Sequence, residues 1–85
     1  MAEVMALIEQ EREKSGLSAE RFANVVGITS TTYSRQNNNR QSLGIESLRL
    51  YAKYFKRVGN LEMLRNLGAY ALELTPDEIM INPSR

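Results

Sequence analysis

The chain has 85 residues, 42% of them hydrophobic and 25% charged, with Lys+Arg 11 against Asp+Glu 10 and neither Cys nor His. That length fits one small domain with a single core, and the missing Cys and His exclude a disulfide framework, a thiolate metal site, a Cys nucleophile and a Ser-His-Asp triad. No apolar run approaches the ~20 residues of a bilayer-crossing helix, and the acidic start Met1-Ala2-Glu3-Val4-Met5 lacks the basic character of a signal peptide, so a cytoplasmic protein is expected.

Every sizeable apolar pattern has helical spacing and none alternates over a strand's length, so the predicted fold class is all-α. A first helix is predicted over residues 2–14, with Val4, Met5, Leu7 and Ile8 inward and Glu9, Gln10, Glu13 and Lys14 on the wet side; Ser15-Gly16 ends it. Ser18 is a good N-cap for a second helix over 19–26, whose inward residues are Phe22, Ala23 and Val26 and which Gly27 closes. Thr29 caps a third helix over 30–37, and the loop from Asn38 to Gly44 follows as a turn, because Asn tolerates positive φ. A fourth helix over 45–56 repeats Ile45, Leu48, Ala52 and Phe55 with Tyr51 beside them. After Gly59-Asn60 a fifth is predicted over 61–74, and Thr75-Pro76-Asp77-Glu78 reads as a capping box that opens a short tail.

The net charge of +1 conceals a partition along the chain. Residues 1–20 carry −3, residues 21–57 carry +6 with Glu46 as their lone acid, and residues 58–85 carry −2. A cationic block between acidic ones suits a face that meets a polyanion, since the field acts within a Debye length of ~8 Å. That block contains the most informative stretch, residues 17–38, which sets two short helices on either side of the turn Gly27-Ile28-Thr29. Ala23 suits a close crossing of the two helices, Gly27 permits the reversal, and Phe22, Ile28 and Tyr33 plug the angle from below. A second helix held this way can enter a groove ~12 Å wide while the first braces on the backbone.

Gly16-Leu17-Ser18, Phe22-Ala23, Val26-Gly27-Ile28-Thr29, Tyr33 and the helix over 45–55 together resemble the lambda-repressor-like, Cro/XRE-type helix-turn-helix domain, over roughly residues 4–57. The resemblance implies a five-helix domain that binds operator DNA as a two-fold dimer with its third helix in the major groove. It implies base contacts at Ser30, Thr31, Ser34 and Arg35 and backbone contacts at Asn38 and Arg40. The residues lead the same way: with Tyr33 inward, positions 30, 31, 34 and 35 lie largely away from the core. Arg35 has the fork for a bidentate contact with guanine, and the Thr29 hydroxyl with the helix N-terminus can hold a phosphate.

Three positions depart from the family pattern. Ala19 stands where a phosphate-contacting Gln is frequent. Gln36 stands where an apolar residue is usual, so it must be exposed or, if buried, hydrogen-bonded. Asn37 stands where a Glu often pairs with the residue matching Arg12, which leaves Arg12 and Asn37 at best a neutral hydrogen bond. Gln36 and Asn37 together predict a third helix that ends early or frays.

The fifth helix carries two apolar stripes, Leu61-Leu64-Gly68-Ala71 and Met63-Leu67-Tyr70-Leu74, one for the domain and one for a partner. Residues 1–57 then form a DNA-binding core, with the helix-turn-helix over 18–37 and the recognition helix over 30–37. Residues 58–85 form a C-terminal helix and tail for packing and homodimerisation. The expected function is a sequence-specific regulator of transcription, a repressor on double-stranded operator DNA. The alternative is a protein-interaction module such as an antitoxin, with or without DNA binding. No enzyme activity, cofactor, metal, membrane or small-molecule ligand is expected, since so small a bundle offers few catalytic groups and scant room for a substrate.

Overall fold

The computed structural model describes residues 2–72. They form five helices in the order α1 (Ala2–Ser15), α2 (Ala19–Val26), α3 (Ser30–Asn37), α4 (Ile45–Arg57) and α5 (Leu61–Leu72). The fold is all-α, as expected, and α2 and α3 have the predicted bounds. Residues 73 and 74 of the predicted fifth helix, the capping box at 75–78 and the rest of the tail lie outside the described residues.

The boundaries follow from local chemistry. Ser18 Oγ accepts the Arg21 N–H at 3.1 Å and opens α2, and Thr29 Oγ1 accepts the Thr32 N–H at 3.0 Å and opens α3. Between them Gly27 sits at φ +103°, where the Ile28 N–H reaches back to the Ala23 carbonyl at 3.0 Å. This left-handed closure turns the chain sharply enough for α3 to start within three residues. The third helix does not end early, against the expectation drawn from Gln36 and Asn37. It runs through Asn37 and closes with Asn39 at φ +61°, the Asn39 N–H on the Gln36 carbonyl and the Arg40 N–H on the Arg35 carbonyl. Asn60 does more than break the chain: its Oδ1 accepts the Met63 N–H at 3.1 Å at the start of α5, and its Nδ2 donates to Glu11 on α1.

One core joins all five helices, built on Val4, Met5, Ile8, Phe22, Ala23, Val26, Tyr33, Leu48, Tyr51, Phe55, Met63 and Leu67. Phe22 is its hub. Its ring lies 5.4 Å from that of Tyr33 and 5.3 Å from that of Tyr54, both edge-on, and 6.4 Å from that of Tyr51, stacked. These contacts tie α2 to α3 and α4 at once. Leu43, inside the polar loop before α4, is fully buried in the same core, and Tyr70 on α5 donates to its carbonyl. On α5, Met63 and Leu67 are buried, Leu64, Tyr70 and Ala71 are half-buried, and Leu61 is 67% exposed.

Two polar assignments differ from the sequence expectation. Glu9 is not on the wet side of α1; it is half-buried and accepts the Tyr33 hydroxyl. Arg12 does not face Asn37; its guanidinium grips both Glu9 oxygens, at 3.0 and 2.6 Å, and donates to the Leu17 carbonyl at 2.6 Å. With Glu absent at position 37, the arginine takes its carboxylate from one turn back along its own helix, an i, i+3 pair.

Candidate nucleic-acid interface

Two residues of α3 face inward, Tyr33 and Gln36, three apart and so one above the other on the same side. Each makes polar contacts as well as packing. Tyr33 donates to Glu9, which Arg12 holds in turn, tying α3 to α1 and, through Leu17, to the loop before α2. Gln36 meets the condition set for it: it is buried, its Nε2 donates to Ser47 Oγ at 2.9 Å, and its Oε1 accepts from the Tyr51 hydroxyl at 2.9 Å. Among the described residues, no buried side-chain nitrogen or oxygen lacks a partner.

With that side fixed, the outer side of α3 is open. Ser30, Thr31, Ser34 and Arg35 are all exposed, as are Thr29 at its start and Asn38 and Arg40 just beyond its end. Among the described residues, no ion pair or side-chain hydrogen bond engages the guanidinium of Arg35 or Arg40. Asn38 Nδ2 lies 3.5 Å from Ser34 Oγ, so these two short polar groups sit side by side on the face. The Thr29 hydroxyl is committed within the helix, accepting the Thr32 N–H and donating to Thr32 Oγ1 at 3.0 Å. What the start of α3 offers an anion is therefore its remaining backbone N–H groups and the positive end of its dipole.

The surrounding charge is mixed near the start of α3 and cationic at its end. Arg21 and Glu20 on α2 border a hollow shared with Thr29 and Ser30, and Glu46 on α4 borders another with Thr32 and Gln41. Arg35 and Arg40 stand at the other end of the helix. Arg57, one of the cations of the middle block, is engaged elsewhere: it donates to the Val25 carbonyl at the end of α2 at 3.0 Å and lies over the Tyr54 ring, 5.7 Å from its centre. It thereby caps the negative end of α2.

The buried polar groups hold definite protonation states. Hydrogen bonds from Arg12 and Tyr33 keep the Glu9 carboxyl below its ordinary value of 4.5, although partial burial opposes them. Burial raises the phenols of Tyr33 and Tyr51, and the Glu9 carboxylate raises that of Tyr33 further, so both remain donors. A folded-state value lowered below the unfolded one stabilises the fold at pH above about 4.5, and this contribution disappears as the pH falls through the lowered value. Glu9→Gln is therefore expected to be ~1–2 kcal/mol less stable at pH 7, since it weakens charge-assisted bonds to Arg12 and Tyr33. It is also expected to lose less stability on acidification below pH 4.5. Urea unfolding at pH 7 and at pH 3 measures both, and parallel pH profiles for the two proteins would remove Glu9 as an acid-sensitive tie.

The sequence pointed to the exposed face through the inward position of Tyr33, but neither polar tie behind it was assigned. Gln36 carried a signal, a polar residue where the pattern wants an apolar one. Glu9 carried none for its tie to Tyr33, because that partner lies 24 residues away.

Two short helices joined by a tight turn, the second with a polar outer face and its ends free, define a helix-turn-helix domain. The helix-turn-helix family model HTH_3 matches residues 8–58. The chain belongs to this Cro/C1-type family of DNA-binding domains. Comparisons with curated proteins and with solved structures gave no match. Family membership implies DNA as the partner and a role in regulating transcription. No helix among the described residues is long and apolar enough to cross a membrane.

Proposed function

We propose that the protein is a sequence-specific repressor that occupies operator DNA as a two-fold homodimer. The outer face of α3 carries this reading: Arg35 is exposed and, among the described residues, unpaired beside Ser34, with Ser30 and Thr31 one turn back on the same helix. In this reading α3 lies in the major groove, Arg35 reads a base edge, Ser30, Thr31 and Ser34 make close contacts, and Thr29, Asn38 and Arg40 hold the backbone. The second protomer docks through residues 61–81. The exposed Leu61 and the shallow apolar groove lined by Ala52, Leu64, Gly68 and Ala71 support a contact there.

Selection of bound sequences from a random duplex pool tests the proposal. The expected result is a palindromic consensus with half-sites about one helical turn, ~34 Å, apart. Arg21 and Arg40 from two protomers neutralise about four phosphates, for a log–log salt slope of about −4; one protomer alone gives a slope near −2. A pool without enrichment rejects sequence-specific binding. The second reading, a protein-interaction module such as an antitoxin, is favoured by the same α4–α5 groove and by the short Ser/Thr-rich outer face of α3. A stable complex with a different protein and no enriched duplex would establish it instead.

A further inference from the structure

Gln36 is the one fully buried polar residue among the described positions other than tyrosine. Its amide spans two α4 residues one turn apart, donating to Ser47 and accepting from Tyr51, each at 2.9 Å. Tyr51 is itself fully buried, its ring stacked on Phe22, so the phenol oxygen is a fixed point rather than a mobile one. The backbone of α3 packs on α2 and α1 more extensively than on α4. The Gln36 amide is thus a polar bridge between α3 and a helix that backbone packing alone holds less extensively.

An apolar side chain at position 36 would fill the same space over a range of helix rotations. An amide engaged at both ends tolerates few, because a small slip leaves a buried N–H or carbonyl oxygen without a partner. Gln36 directly follows Arg35 and lies two residues from Ser34. A rotation of α3 by ~20° displaces a side-chain tip ~6 Å from the helix axis by about 2 Å, more than a bidentate contact survives.

We propose that Gln36 is the positioning residue of the DNA-reading helix: held between Ser47 and Tyr51, it sets the rotation of α3 about its own axis and through it the aim of Ser34 and Arg35. The proposal rests on the reading of α3 as the DNA-contacting helix. It assigns the buried amide to orientation rather than to stability, in keeping with the small net gain of buried polar pairs over well-packed apolar groups.

The test compares the full-length chain with Gln36→Met combined with Ser47→Ala and Tyr51→Phe, a variant that removes the polar bridge without leaving a buried group unmatched. Three quantities are measured: the unfolding midpoint, amide exchange across α3 in the free protein, and the preference for the selected duplex over a random one. The expected variant unfolds at or above the wild-type midpoint, yet its α3 amides exchange about tenfold faster while those of α1 keep their rates. Its duplex preference falls about tenfold with unchanged non-specific affinity and salt slope. Wild-type exchange in α3, or an undiminished preference, overturns the proposal. Tyr51→Phe alone, which removes one oxygen, is the second variant should the combined one fold poorly, and shifts of about threefold in the same two readouts are expected. If the wild-type chain prefers no duplex, the DNA reading fails by itself and the exchange measurement still decides whether Gln36 holds α3.

Discussion

Phe22→Ala is expected to lower the thermal midpoint by roughly 20 °C, the largest effect of any single substitution considered. The side chain is fully buried, and its ring touches Tyr33 on α3 and both Tyr51 and Tyr54 on α4. Truncating a buried Phe to Ala costs about 3–5 kcal/mol, the lost transfer free energy plus the cavity left behind. Each kcal/mol moves the midpoint of a domain this size by about 4–8 °C, and a native stability of about 5–15 kcal/mol leaves little in reserve. The cavity has no easy collapse, since the rings around it come from two helices that Phe22 itself spaces apart. Val58→Ala provides the contrast. Val58 is 55% exposed, so its truncation should move stability by no more than about 0.5 kcal/mol. Thermal melts of both variants, followed by helical circular dichroism, check the pair. A loss below 5 °C for Phe22→Ala would mean that the aromatic cluster does not hold the two helices of the motif at their angle.

Elements fixed by neighbouring residues were readable in advance, and elements fixed across space were not. Ser18, Gly27 and Thr29 carry their own boundary chemistry: a hydroxyl for an N–H three residues on, a backbone free to take positive φ. The bounds of α2 and α3 therefore followed from the residues alone. Tyr33 pointing inward forces Ser30, Thr31, Ser34 and Arg35 outward by helical geometry, which made the candidate face legible too. Helical spacing gave no warning of Glu9, since on α1 it falls among polar neighbours and only the approach of α3 brings the Tyr33 hydroxyl to it. Leu43 was hidden in the same way, an apolar residue in a loop that looks solvated until α4 and α5 close over it. The cations show the limit most plainly. Seven bases in residues 21–57 announce a positive block, yet their sequence positions do not say that Arg57 turns to the Val25 carbonyl while Arg35 and Arg40 stand free among the described residues.

Arg35→Ala is expected to reduce the preference for the selected duplex over a random one by about 5- to 150-fold, the equivalent of the ~1–3 kcal/mol that a bidentate base contact contributes to discrimination. Folding stability should stay within about 0.5 kcal/mol of wild type, because the side chain is exposed and bound to nothing within the described residues. Non-specific affinity should fall little, since a side chain in the groove floor neutralises few phosphates. Arg40→Ala should show the opposite signature. It weakens binding to every duplex alike and makes the salt slope less steep by about 0.9 per protomer, as expected for one lost phosphate contact. Arg35→Lys separates charge from shape: it keeps the cation but not the planar two-pronged donor, so the preference should still fall while non-specific binding is retained. Titrations of the three variants against selected and random duplexes, at two salt concentrations, resolve these signatures. If Arg35→Ala behaves like Arg40→Ala, Arg35 is a backbone anchor, and base reading on this face would rest on the three hydroxyls of Ser30, Thr31 and Ser34. None of those offers a bidentate donor pair, so such a protein would read its site through DNA shape and close approach and would discriminate among sequences far less sharply.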